Sequence, residues 1–387
     1  MTMNIYYFTE APYPHLPPAE TYPSVRNSLP NGLMDPDIAA DLWDRYLLEW
    51  QIADEAGLNV MVNEHHSTPT CLNSTVPVSA AVLARLTKNA RILILGNPVA
   101  NRNDPVRIAE EMAMIDILSR GRLDVGFVRG VPFEIAPTNS APTMMSERLY
   151  EGIDLIRKAW TSHDGPFNWE GRFYHSRQVN IWPRPYQQPA PPMWVSTTTP
   201  SSVRRIADYD ATVATFMLGH EGTAKVFAAY RERAAELGRS EGVESKLAYC
   251  GLVYTGKTDA EGLEGARKLL WYLKSNKVTF EYAQPPAYGP YAARAEGLRG
   301  VYNGFETKIR SMSLEGLIDN GTVFAGSPET VRGQIERFYE LVGGYGNMIL
   351  MGQAGFMGHD ETVAGIRTFA DKVLPNLAHL QAGAVHA

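Results

Sequence analysis

Residues 118–131 read LSRGRLDVGFVRGV. A helical run arrives at Leu118 and stops at Ser119-Arg120-Gly121. The apolar run from Arg122 to Val128 is a strand. At Arg129-Gly130 the chain must leave it. Glycine adopts backbone angles closed to other residues, and an arginine at a strand's C-terminal end is well placed to meet an anion. By itself the stretch is a helix–turn–strand corner whose arginine is either solvated or ligand-facing. Its neighbours along the chain decide the fold.

Upstream, the runs 3–8 (MNIYYF), 58–62 and 91–95 are short, apolar strands, the last giving way to Gly96-Asn97-Pro98. Helices over 37–56, 77–88 and 105–118 separate them. In the first, Ile38, Leu42, Tyr46, Ile52 and Ala53 share a face, and Gly57 ends it. Asp104-Pro105 opens the third, an N-cap followed by proline at the first helical position. Downstream, a helix over 144–160 precedes an aromatic and proline-rich excursion, 165–192, read as a small hairpin on the barrel. Strands follow at 193–196, 211–215, 246–255 and 347–351. Helices are expected over 203–209, 223–237, 259–275, 330–342 and 360–377, with Ser327-Pro328-Glu329 near a capping box.

Short apolar strands alternating with helices imply a parallel sheet buried on both faces. Eight of them predict an α/β fold of the (β/α)8 TIM-barrel type. It forms one domain over 1–387, with a long loop 9–36, the excursion and an insertion at about 257–320. The competing open, doubly wound sheet requires G-x-G-x-x-G after its first strand, where this chain has Thr9-Glu10-Ala11-Pro12.

The net charge is −6 with mixed signs and no basic block, which argues against nucleic acid or a membrane surface as partner. Cys71 and Cys250 are far apart in sequence, which fits a reducing, cytoplasmic setting. A strand beginning almost at Met1 leaves no signal segment, and no apolar run approaches the ~20 residues of a membrane helix.

In such a barrel the active site lies at the C-terminal ends of the strands. The polar residues there are Glu10, Asn63-Glu64-His65-His66, Gly96-Asn97, Arg129 and the run Thr197 to Ser202. The histidine pair lacks any metal-ligand spacing, so no metal is expected. A histidine in the mouth suits proton transfer, and a histidine satisfied by a backbone group is the alternative. Hydroxyls and free N–H groups ahead of a helix make an anion site, or simply an N-cap. Together with Arg129 they suggest a phosphorylated cofactor across the mouth. The aromatic residues of 167–194 either wall a pocket or cover barrel helices, and the apolar faces of helices 77–88 and 105–118 either cover the barrel or pack in a dimer.

Taken in order, these segments resemble the bacterial luciferase-like flavin-dependent monooxygenases. Asn63-Glu64-His65-His66, the stretch from Asp104-Pro105 through Arg129-Gly130, Trp182-Pro183-Arg184-Pro185 and Gly326-Ser327-Pro328-Glu329 carry the likeness. The resemblance implies a barrel that binds FMN, often as a dimer, with His65 assisting proton transfer and Glu64 or Asn63 orienting flavin or histidine. It implies Arg129 at the phosphate, with the hydroxyls of Thr198 and Ser201 (Thr197 joining them on the reading of the run itself), and a non-proline cis peptide at Gly96-Asn97 against the flavin ring. Where some members have a cysteine before that arginine, this chain has Val128. The implied activity is a two-component monooxygenase. A separate reductase supplies FMNH2, O2 adds to give a flavin peroxide, and one oxygen atom goes to a small organic substrate. Two alternatives are a deazaflavin (F420) hydride-transfer enzyme, with Arg102, Arg107 and Arg184 near the cofactor's tail, and a non-catalytic flavin-binding partner subunit.

Overall fold

Alternation along each strand sorts side chains into two sets, and the two sets define the architecture. In the computed structural model, residues 3–275 and 309–380 are described, apart from 19–20, 23, 25, 27, 132–133, 135–137, 139 and 141–143. Residues 276–308, about half of the expected insertion, therefore lie outside the described residues.

The described elements are β1 (Asn4–Thr9), α1 (Pro36–Glu55), β2 (Asn59–Val62), α2 (Val76–Leu86), β3 (Ile92–Pro98), α3 (Pro105–Ser119), β4 (Leu123–Val128) and α4 (Met145–Thr161). Then come β5 (Phe167–Glu170), β6 (His175–Val179), β7 (Met193–Ser196), α5 (Pro200–Asp208), β8 (Thr212–Phe216), α6 (Gly219–Glu236), β9 (Leu247–Thr255) and α7 (Asp259–Ser275). The chain closes with α8 (Leu314–Asp319), β10 (Val323–Gly326), α9 (Pro328–Leu341), β11 (Asn347–Gln353) and α10 (His359–Thr368). Parallel pairing runs β9–β11–β1–β2–β3–β4–β7–β8, and β8 returns to β9. The eight strands expected from the sequence thus close a barrel. The strand β10 was not anticipated; it adds to the end of β9 through Val323–Gly326 against Leu252–Thr255.

Tyr6, Phe8, Met61, Leu93, Leu95, Trp194, Ala214, Ala248, Cys250, Ile349 and Met351 form the inner cluster. Their neighbours Ile5, Tyr7, Val60, Val62, Ile92, Ile94, Val125, Phe127, Val213 and Leu350 pack outward against the helices. The lumen is a packed core, so ligand chemistry is confined to one end. The N-terminal end is sealed. Arg91 grips Asp124 with two bonds of 2.8 and 2.6 Å, and the Tyr6 hydroxyl donates to the same carboxylate at 3.1 Å.

Helix starts follow the cap chemistry. Asp35 accepts from Asp37 and Ile38, Asp104 from Arg107, and Ser327 from Thr330. Proline at N1 lets α5 begin at Pro200, ahead of the expected 203. The final helix breaks after Thr368 into a π turn and a short 3-10 segment. The excursion forms the hairpin β5–β6, held on α4 by Glu151, which accepts from the N–H groups of Arg172, Phe173 and Tyr174. Its tail reaches the sealed end, where Gln187 donates to Asp116 and to the Leu123 carbonyl. The excursion covers helices and does not wall the mouth. Among the described residues no helix is long and apolar enough to cross a membrane.

Candidate functional site

Parity carried one step past the strands puts Glu10 and Asn63 on the inner side of the open end, from two adjacent strands, while the register shift after Leu95 sets Asn97 opposite the outward-packing Phe127, where its Oδ1 accepts from Arg102 at 3.3 Å. The Asn63 amide donates to Glu10 at 3.0 Å, and its carbonyl oxygen faces the Cys71 thiol at 3.7 Å. Burial pushes that thiol well above its ordinary range, so Cys71 is a packing residue. β3 does not stop at Leu95; it continues through Pro98 with a register shift between Leu95 and Asn97. A Cβ on Gly96 would lie 2.6 Å from Asn63 Cα and Glu64 N, so the missing side chain lets β3 touch the end of β2. The cis peptide expected at Gly96-Asn97 is absent. Among the described residues only Trp182-Pro183 and Gln188-Pro189 are cis. The close approach is met by the glycine on a trans backbone.

β2 ends at Val62, so the alternation that would turn His65 and His66 apart no longer applies to them. Glu64 holds a histidine, but that histidine is His66, at 3.1 Å. Its other oxygen accepts from Val76 N at 2.8 Å, which fixes the start of α2. The hydrogen bond to Glu64 raises the pKa of His66 above its ordinary value, against the opposing effect of burial.

His65 is held by residues that no spacing rule selects. Its backbone N–H donates to Asn73 O at 3.1 Å. Its Nδ1 lies 3.0 Å from Glu134 Oε1 and 3.0 Å from Arg26 Nη2. Arg26 also donates to Thr70 at 3.0 Å and to Glu134 at 3.2 Å. Burial would push the Glu134 carboxyl up, but the charges and hydrogen bonds of His65 and Arg26 outweigh it and hold the group below its usual range. Burial opposes the Arg26 charge too, and the neighbouring carboxylates of Glu134 and Glu10 more than offset it. Arg26 is the sole Lys or Arg in residues 9–36, and Glu134 follows Arg129-Gly130 closely. Those were the available signals, and neither is strong. The Nε2 atom of His65 makes no hydrogen bond among the described residues.

On the adjoining side, β4 and β7 pair Phe127 with Val195. Arg129 and Thr197 are the first residues past the two strand ends, and the Thr197 N–H still donates to Ala214 O at 3.0 Å. Arg129 is half-buried and makes no hydrogen bond or ion pair among the described residues. Gly130 takes a φ of 82°, and a Cβ there would meet Asn101 Oδ1 at 2.5 Å. Among the described residues, both side-chain polar atoms of the buried Asn101, and Asn97 Nδ2, have no hydrogen-bond partner. Buried polar atoms without partners are costly, so a polar ligand across β3 and β4 would relieve them. Thr199 stands at the N-cap of α5 without a side-chain cap bond. Its hydroxyl instead meets Ser202 at 2.9 Å, and its N–H donates to Thr197. Thr198 and Ser201 are exposed at this helix start. Arg102 is paired with Glu111 at 3.0 Å and Arg107 with the same carboxylate at 3.2 Å, while Arg184 is exposed. No group of His, Cys, Asp and Glu among the described residues is arranged to hold a metal.

The family model for luciferase-like monooxygenases matches residues 40–344. The oxygenase component of the flavin-dependent trigonelline monooxygenase of Acinetobacter baylyi is 34% identical over 173 residues, 43% of this chain and 47% of that one. The matched segment thus spans about half the length of that relative. Two solved structures share the fold. One is the oxygenating constituent of 3,6-diketocamphane monooxygenase from Pseudomonas putida in complex with FMN (TM-score 0.72, 19% identity, 97% of this chain and 99% of that one). The other is an F420-dependent secondary alcohol dehydrogenase (TM-score 0.66, 17% identity, 97% and 99%).

Proposed function

The chain belongs to the luciferase-like monooxygenase family, and from that premise we propose that it is the oxygenase of a two-component system. It takes reduced FMN from a separate reductase and transfers one atom of O2 to a small organic substrate, the other atom leaving as water. The observation that carries the reading is that two uncommitted groups stand past the C-terminal ends of strands of one barrel. Among the described residues, the outer nitrogen of His65 makes no hydrogen bond and Arg129 makes no ion pair. The lack of a dinucleotide fingerprint supports a partner reductase, as does the Acinetobacter relative's description as an oxygenase component. A cytoplasmic setting fits the two free cysteines.

In this proposal Arg129, the Thr197, Thr198 and Ser201 hydroxyls and the first turn of α5 hold the phosphate. Asn97 and Asn101 supply hydrogen bonds to the ring or ribityl part, beside the glycine-permitted approach at Gly96. Asn63 keeps Glu10 in place. Glu64, by fixing His66 and the start of α2, shapes the wall next to His65. His65 gives and takes the proton at Nε2. Reduced FMN supplies the electrons that make O2 reactive, and the protein's part is to bind, orient and exclude water. The faces of α2 and α3 leave Val78, Val82, Met114 and Ile117 exposed, a surface suited to a homodimer.

Anaerobic titration of the purified chain against reduced FMN and against F420 tests the cofactor. Saturable binding of reduced FMN with F420 much weaker is the expected result. The reverse preference would overturn the reading and favour hydride transfer, a reading that the pairing of Arg102 and Arg107 with Glu111 already weakens.

A further inference from the structure

The inner nitrogen of His65 faces two groups of opposite hydrogen-bonding sense. Arg26 Nη2, 3.0 Å away, can only donate. Glu134 Oε1, also 3.0 Å away, can only accept while ionised. Arg26 and Glu134 are themselves paired at 3.2 Å, and their side chains are 5% and 2% exposed. A single acceptor at Nδ1 would lock the imidazole as the Nδ1–H form, and a single donor would lock it as Nε2–H. Both are present here. With the proton on Nε2, Nδ1 accepts from Arg26. With the proton on Nδ1, it donates to Glu134. Nδ1 has a partner in either form, so neither carries the cost of an unmade bond at that atom.

We infer that the buried Arg26–Glu134 pair is a tautomer switch for His65, two positioning residues that let Nε2 alternate between proton acceptor and proton donor. The cycle balances. Starting from the Nδ1–H form, Nε2 takes a proton from the ligand side. The imidazolium so formed keeps its Nδ1 proton, donated to the ionised Glu134 carboxylate, and when Nε2 gives its proton up the Nδ1–H form is restored. In the Nε2–H form Arg26 donates to Nδ1 and Nε2 presents its proton to the ligand side. The surroundings suit a closed exchange of this kind. His66 and Glu64 occupy one side, Glu10 and Tyr272 the other, and the Thr70 hydroxyl fixes the far end of the Arg26 fork. The hold on Glu134 by His65 and Arg26 keeps it ionised, so it acts as a hydrogen-bond acceptor toward Nδ1–H. Part of the switch comes from the aperiodic loop 9–36, which gives that loop a chemical task.

The inference rests on His65 as the acid–base group, and its test is read on the unliganded protein, apart from any flavin chemistry. The chain is labelled with 15N-histidine, and long-range proton–nitrogen correlation spectra are recorded. His65 is assigned among the nine histidines by its loss in His65→Gln. Both neutral tautomers of His65 are expected, in exchange. Glu134→Gln shifts the population toward Nε2–H and Arg26→Met toward Nδ1–H, each on the order of tenfold, because a charge-assisted bond is about twice as strong as a neutral one. Should a variant fail to fold, the wild-type spectrum decides alone. A single tautomer of His65 overturns the switch, and so does a mixture that neither folded variant alters.

Discussion

Arg129→Ala separates phosphate recognition from every other contact in the mouth. Arg129 makes no ion pair or hydrogen bond among the described residues, so its removal orphans nothing in the protein. The variant keeps the wild-type thermal midpoint, because surface changes away from such features typically stay within about 0.5 kcal/mol. The whole loss falls on the ligand. A hydrogen bond to a charged group is worth about 1.5–3 kcal/mol. At about 1.4 kcal/mol per factor of ten, the dissociation constant for reduced FMN rises roughly 10- to 150-fold. Riboflavin has the same ring and no phosphate, so its affinity stays where it was. The assay is anaerobic fluorescence titration of wild type and variant with both reduced ligands. Equal weakening of both, or of neither, would refute the placement of the phosphate at Arg129 and α5.

Three further outcomes follow from the same geometry. Gly96→Ala drives a Cβ against Asn63 Cα and Glu64 N at 2.6 Å, backbone atoms that cannot swing aside; a loss of about 1–3 kcal/mol in urea unfolding is expected, and a variant as stable as wild type would contradict the close approach. The raised His66 pKa, caused by the Glu64 hydrogen bond, implies stability that is fully present below the unfolded value of about 6.5 and is lost as pH rises through the folded value. Wild type therefore exceeds His66→Gln in urea midpoint at low pH, with the gap closing as pH rises, and a gap independent of pH would refute the pairing. Met114→Lys with Ile117→Lys, both on the exposed face of α3 proposed for the homodimer, is expected to turn a sedimenting dimer into a monomer; a dimer that survives both changes would refute that face.

The barrel was legible because a strand buried on both faces must be apolar throughout, and MNIYYF, LNVMV and RILIL say so without help from context. The strand-end rule then placed Asn63 to His66, Asn97, Arg129 and Thr197 at one end of the barrel. The helix start at Pro200 needed only the N1 preference of proline. What stayed hidden has a common cause. Arg26 and Glu134 come from aperiodic segments, and nothing in their spacing from His65 encodes that three chain regions meet. Glu64 was expected to orient a histidine, and distance alone decides that it reaches His66 and not His65. β10 is four residues long and extends the end of β9, so it makes no period of its own. The cis bond at Gly96-Asn97 came from resemblance, and the local sterics did not require it.

The central claim is that this mouth binds reduced FMN and governs its reaction with oxygen. A stopped-flow oxygen pulse onto the preformed complex tests it directly, followed through the return of oxidised-flavin absorbance. The account predicts a lag before that absorbance appears, compared with free reduced FMN at the same oxygen concentration, and a changed lag in His65→Ala with binding intact. Reoxidation indistinguishable from free flavin would contradict it.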